Sequence, residues 1–148
     1  MELVECKGYR IRVDLYYDGE RNLWVQPLGD GRFRFGFDPL GVEVNGTLAQ
    51  LIIEDSPRRV VRGEPIGSVE AEKFVGPFES PLSGRVTAVN AAVASNLGGV
   101  YDDCYATWLV ELAEVDEAEP SHLIQPANAV AEFAIRVERF KKAGVLAW

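Results

Sequence analysis

Apolar and polar residues alternate with a period of two along much of the first two thirds of the chain. Arg10-Ile11-Arg12-Val13-Asp14-Leu15 is the plainest case, and such alternation predicts a half-buried strand. Asn22 to Pro27, with Trp24 and Val25, is a second and more apolar run. Gly29-Asp30-Gly31 supplies residues that accept the positive φ of a tight hairpin turn. Arg32-Phe33-Arg34-Phe35-Gly36-Phe37 then returns with aromatics on one face and arginines on the other. Asp38-Pro39 predicts a short helical turn that Gly46 ends. Thr47–Glu54 reads as a strand, with Ser56-Pro57-Arg58-Arg59 as an exposed loop after it. Ile66–Glu72, Phe74–Glu79 and Gly84–Val89 are three more strands on very short turns, the second turn being Ser80-Pro81-Leu82-Ser83. Trp108–Glu114 is the last.

The period then changes. Asp116, Glu117 and Glu119 mark a solvated acidic linker, about residues 115–125. From Pro126 the apolar residues Val130, Phe133, Ala134, Val137 and Phe140 recur at three and four, which predicts a C-terminal helix over about 126–143. Arg136, Arg139, Lys141 and Lys142 near its end suit the helix dipole, and Gly144 is placed to stop it. The chain of 148 residues is thus expected to be a single domain: a β core over about 9–114, flattened into a barrel or sandwich, with the helix docked on it.

Charge and composition narrow the function. Hydrophobic residues at 47% and charged residues at 26% are those of a globular domain, which excludes disorder. Fifteen Lys and Arg against 23 Asp and Glu give a net charge of -8, so no nucleic-acid partner is expected. No apolar run nears the ~20 residues of a membrane span, and the N-terminus lacks a secretory pattern, so no membrane partner and a cytoplasmic location are expected. Cys6 and Cys104 form no CxxC pair, and His122 is the only histidine, so no metal site is expected. His122 follows the acidic stretch and reads as solvated rather than catalytic; no catalytic residue is assigned and the chain is not expected to be an enzyme. Cys104, beside Asp102 and Asp103, reads as a poorly reactive thiol, and Cys6 as part of a frayed N-terminal segment.

Lysine usage points further. Eleven of the fifteen cationic residues are arginine, and Lys73 is the only lysine between residues 8 and 140. It falls at the turn between two strands, where neither it nor Glu72 favours positive φ. A solubilising turn residue is the plain reading. The surrounding pattern, Gly67-Ser68-Val69-Glu70-Ala71-Glu72-Lys73, then Pro81-Leu82-Ser83-Gly84 and Arg85-Val86-Thr87-Ala88-Val89-Asn90, resembles the glycine cleavage H-protein family. Trp24-Val25, Gly36, Gly46 and Trp108-Leu109 extend the resemblance over roughly residues 15–143. It implies a barrel-sandwich hybrid fold of the lipoyl/biotinyl-carrier type, with lipoate in amide linkage to Lys73. It also implies recognition by a lipoate ligase or lipoyl transferase through Glu70 and Gly84, and service to lipoamide-using enzymes. Biotin carriers have a similar hairpin with the lysine between methionines, whereas Glu72 and Phe74 flank Lys73.

Two departures from the family pattern bear on process. Asn22-Leu23-Trp24-Val25 has asparagine where the family has a histidine near the resting place of the loaded arm. Asp103-Cys104-Tyr105-Ala106-Thr107-Trp108 replaces a Pro-Tyr-Gly-x-Gly-Trp segment. They favour a divergent H-like lipoate-binding protein of heterodisulfide-reductase-like sulfur oxidation. The alternative is the aminomethyl carrier of glycine cleavage, and a remoter one is an unmodified interaction domain.

Overall fold

Lys7 and Gly8, at φ 54° and 89°, turn strands β1 (Leu3–Cys6) and β2 (Tyr9–Arg12) into an N-terminal hairpin. The computed structural model describes residues 2–55 and 57–146, so the Ser56 end of the expected loop lies outside the described residues. The strand expected over Arg10–Leu15 is divided. Its ladder ends at Arg12 opposite Leu3, the chain turns, and β3 (Tyr16–Asp18) opens a different sheet. The alternation survives the turn because Ile11 and Leu15 are each buried, but in separate clusters. The β core therefore begins at Leu3 rather than near residue 9. Cys6, expected in a frayed segment, is only 8% exposed in that hairpin.

The larger sheet has six strands in the order β3-β4-β5-β11-β10-β7. Here β4 is Leu23–Gly29, β5 Arg32–Phe37, β7 Arg59–Val60, β10 Gly84–Val89 and β11 Val110–Ala113. All three residues of the Gly29-Asp30-Gly31 turn take positive φ. Phe33, Phe35 and Phe37 point into the core, while Arg34 on the outer face pairs with Glu111 at 3.2 Å. Pairing with Gly84 and Arg85 of β10 draws Arg59 out of the expected loop into a strand. The smaller sheet is β6-β8-β9, made of Leu48–Ile53, Pro65–Ala71 and Val75–Glu79. The two sheets do not close on each other, so the fold is a β sandwich with a C-terminal helix. Phe78 of β9 joins them, stacking on Phe35 at 6.2 Å and meeting Phe37 edge-on at 5.6 Å.

Helices fill the corners. Asp38 caps α1 (Pro39–Asn45) by accepting a hydrogen bond from Gly41 N at 2.8 Å. Two short helices, α2 (Ala91–Ser95) and α3 (Gly99–Asp102), occupy a stretch whose sequence carries no periodic signal. The expected solvated linker is exposed at Asp116 and Glu117 but docked on either side of them. Val115 and Leu123 are buried, Ile124 exchanges two backbone hydrogen bonds with Tyr17, and the Glu119 carboxylate accepts from Ser83 N at 2.6 Å.

The helix α4 (Ala129–Ala143) buries Phe133 and Val137 and ends at Gly144, φ 72°, as its pattern requires. Two expectations for it change. Val130 is 40% exposed at the flank, and Arg136 is fully buried rather than serving as a solvated cation near the helix end. Its guanidinium lies 2.8 Å from Asp38 Oδ2 and 3.1 Å from Glu132 Oε1, and donates to Asn22 Oδ1 at 2.8 Å. Arg136→Ala removes the one cation that, among the described residues, pairs with the fully buried Asp38 carboxylate. The expected loss is about 3–5 kcal/mol, read as a fall in the urea midpoint. A loss under about 1 kcal/mol, the value of a surface pair, would show that Asp38 is compensated elsewhere.

Candidate functional site

The tip of the β8–β9 hairpin carries Lys73, and its backbone is tied down while its side chain stays exposed. Ala71 N donates to Phe74 O at 2.9 Å and closes the turn; neither Glu72 nor Lys73 takes positive φ, as expected. The tip rests on the corner between α1 and β6. Lys73 N donates to Asn45 O at 2.9 Å and Glu72 N to Thr47 O at 2.8 Å, while Thr47 N returns a bond to the Glu72 carboxylate at 3.3 Å. Gly46, at φ 69°, makes this contact possible. A Cβ there would lie 2.6 Å from Glu72 Oε1 and 3.3 Å from Lys73 Cγ. From the other side, the Tyr101 hydroxyl donates to Gly46 O and accepts from Leu48 N at 2.6 Å. Asn45 and Tyr101 were not found from sequence: Asn45 contributes only its carbonyl, and nothing in the pattern around Tyr101 points to residue 46.

A cleft of about 940 Å³ opens beside the tip. Lys73, Phe74 and Phe78 of the hairpin line it together with Asn22, Asn45 and Phe140. It is largely apolar, and the exposed Lys73 is among the residues that line it. Lipoate on Lys73 fits this arrangement, because the arm would start in solvent and have an apolar trough within reach.

The other expected site residues are dispersed. Glu70 is exposed on the outer face of the small sheet, between Gln50 and Val75, on the same hairpin as Lys73. Gly84 is buried in the large sheet beside Val60. Gly84 does not have a left-handed backbone. It needs room: a Cβ would come within 2.9 Å of Val115 Cγ2 and 3.0 Å of Ala113 O. His122 is exposed, 3.9 Å from Glu119, and does not line the cleft. Among the described residues no cluster of His, Cys, Asp and Glu could hold a metal ion, and no helix is long and apolar enough to cross a membrane.

Cys104 packs under the large sheet, where its carbonyl accepts from Trp24 Nε1 at 2.9 Å and the adjacent Tyr105 bonds to the Tyr17 hydroxyl at 2.9 Å. Burial first, then the carboxylates of Asp38 and Asp103, push its thiol up to about 12; burial also raises Cys6. The thiolate is the reactive form, so both should resist iodoacetamide at pH 8 in the native protein and react once it is unfolded. Intact mass before and after urea measures this; fast native labelling of Cys104 would contradict its placement.

The glycine cleavage H-protein family matches residues 15–135. The chain is 33% identical to the glycine cleavage system H protein of Ralstonia nicotianae, over 79% of this chain and 82% of that one. It is 29% identical to a probable glycine cleavage system H protein of Pyrococcus furiosus, over 88% of this chain and 97% of the other. Its fold is similar to the crystal structure of a glycine cleavage system H protein from Mycobacterium marinum. The TM-score is 0.68 at 26% identity, covering 83% of this chain and 98% of that one. A family match over most of the chain, relatives up to 33% identical and a shared fold lead to one conclusion: the chain belongs to the glycine cleavage H-protein family.

Proposed function

We propose that the protein is a lipoyl carrier that bears lipoate on Lys73 and passes a group between the enzymes of glycine cleavage, with no catalytic site of its own. The observation that carries this reading is Lys73 itself: an exposed amine on a tethered hairpin tip, beside a largely apolar cleft. When attached, lipoate supplies a cyclic disulfide that opens to two thiols. The chain's part is to mount, shelter and present. Asn45 and Thr47 fix the tip, so the arm swings from a known point. The cleft walls of Phe74, Phe78 and Phe140 offer the seated arm an apolar surface away from water. Glu70 and Glu72 flank the exit and give a ligase or transferase, and later the lipoamide-using enzymes, an acidic feature to read. Gly84, being buried, contributes to ligase recognition only by holding β10 against β11.

The divergent role in sulfur oxidation draws no support from the relatives described, whose names all refer to glycine cleavage. An unmodified interaction domain would leave the tethering of Lys73 without a purpose.

Incubation with a lipoate ligase, ATP and lipoate should raise the intact mass by one lipoyl group. Lys73→Arg should show no rise with its melting curve unchanged, since arginine keeps the charge at an exposed turn. Glu70→Ala should reach the same mass several-fold more slowly. Modification of Lys73→Arg would overturn the assignment. The process has its own assay: lipoylated protein with glycine decarboxylase and aminomethyltransferase should support glycine-dependent carbon dioxide release. Reduction by a lipoamide dehydrogenase without glycine turnover would overturn the glycine-cleavage reading and leave the carrier standing.

A further inference from the structure

Asn22 occupies the cleft wall where the family pattern has a histidine, and the two ends of its side chain stand in different surroundings. Its backbone is left-handed, φ 59°, which asparagine tolerates, and its carbonyl accepts from Asp38 N at 3.0 Å. Side-chain Oδ1 accepts from Arg136 Nη1 at 2.8 Å. A guanidinium has only donors, so the amide cannot be reversed: oxygen faces Arg136 and nitrogen faces away. Arg136 cannot swing, because it has no exposed surface and is paired with Asp38 and Glu132. Asn22 Nδ2 makes no hydrogen bond among the described residues, and it is not one of the buried unpaired atoms. Asn22 therefore brings two unused donors to the cleft that Lys73 shares. The nearby Arg21 is engaged by Asp18 at 2.9 Å and Glu79 at 3.2 Å.

We propose that Asn22 Nδ2 is the cleft's hydrogen-bond donor to the seated lipoyl arm, and that Arg136 is the positioning residue that fixes the amide's orientation. Its partner is an acceptor atom: the carbonyl oxygen of the lipoyl–lysine amide, or an acceptor on the cargo. A histidine can donate or accept according to its protonation. Asn22, with Oδ1 taken by Arg136, can only donate. A protonated aminomethyl group carries donors alone, so for that cargo the partner is the arm's own carbonyl. The inference rests on the lipoyl-carrier reading.

Asn22→Asp isolates the donor. The isostere keeps an acceptor for Arg136 but replaces the cleft-facing donor with a second acceptor, so the fold should hold. In ¹⁵N-labelled full-length protein, the Asn22 side-chain amide resonance is the one absent from Asn22→Asp. It should move on lipoylation, keep that movement in Arg136→Lys, which still donates to Oδ1, and lose it in Arg136→Met. A bulky maleimide gives the second readout, since Cys6 is buried and Cys104 is half-buried with its thiol pushed up by burial, which leaves the reduced arm as the reactive thiols. The arm should react several-fold faster in Asn22→Asp than in the parent at equal lipoyl content. Movement in the unloaded protein assigns the carbonyl of a resting arm; movement only after loading with an aminomethyl group assigns the same carbonyl in an arm that the cargo seats. No movement in either form, with equal maleimide rates, would overturn the proposal, and these two readouts suffice without Arg136→Met should that variant fail to fold. Absence of lipoate on Lys73 would instead sink the carrier reading on which it rests.

Discussion

A guanidinium with no exposed surface must have its charge and most of its donors met by the protein, and at Arg136 this requirement organises one whole end of the molecule. The partners come from three elements: Asn22 ahead of β4, Asp38 ahead of α1, and Glu132 one turn back on α4. Asp38 serves two masters, with Oδ1 on Gly41 N and Oδ2 beside the guanidinium. The cap of α1 and the docking of α4 are thus a single interaction. The consequence reaches Lys73, because α1 is a seven-residue rod, ~10 Å long at the usual rise, whose far end supplies Asn45 and Gly46 to the hairpin tip. Burying such a group is costly, and an apolar pair of equal volume could stabilise the fold as well. What an apolar pair could not do is fix the orientation of an amide in the cleft wall.

The hairpin shows how a carrier divides stiffness from mobility. A swinging arm is useful only if its origin is fixed, since freedom at the mount would enlarge the volume searched without bringing the arm nearer a partner. The tip gains its stiffness from backbone hydrogen bonds to the α1–β6 corner, which leave the Lys73 side chain uncommitted. The strand beyond it, β9, is an edge of the small sheet, where unpaired backbone groups invite another chain. Pro77 in its middle removes one donor, and Glu79 at its end pairs with Arg21. Val75, 74% exposed next to the tip, is the apolar residue this edge leaves open.

Local chemistry is readable in the sequence where it depends on local chain. The β4–β5 hairpin, the cap at Asp38, the stop at Gly144 and the turn at Lys73 all follow from residues within four positions of one another. What escapes is what depends on distance. Arg136 belongs to a run of cations toward the helix end, where solvated side chains are the ordinary expectation, but it stands in the middle of α4 and only the fold brings Asp38 and Asn22 to it. Gly84 invites a conformational explanation because glycine in a turn motif usually has one; its true constraint is Val115, thirty-one residues away. The N-terminal hairpin is hard to see because its two strands are four residues each and Lys7-Gly8 is a weaker turn signal than Asn-Gly. For the candidate site, Lys73 stands out in the sequence and the mount beneath it does not, since a mount made of main-chain groups leaves no trace in side-chain type.

Charge is distributed unevenly around this frame. Acylation of Lys73 would take the net charge from -8 to -9, one positive charge being removed from the full sequence. The change falls at the tip, where Glu70 and Glu72 then stand with no lysine between them and the cleft. On the α4 side Arg139 lines the cleft, and Lys142 with Lys7, the latter paired with Glu138 at 3.2 Å, stands on the adjoining surface that Arg139 also lines. A partner approaching the arm would therefore meet an acidic rim on the hairpin side and a basic one on the helix side. A field of two signs orients an encounter as well as accelerating it, because a partner of complementary polarity is turned as it is drawn in. For a carrier that visits several enzymes, such orientation has an advantage over tight binding. Charges at a solvated rim speed arrival without holding the complex together, and the arm is free to leave with what it has collected.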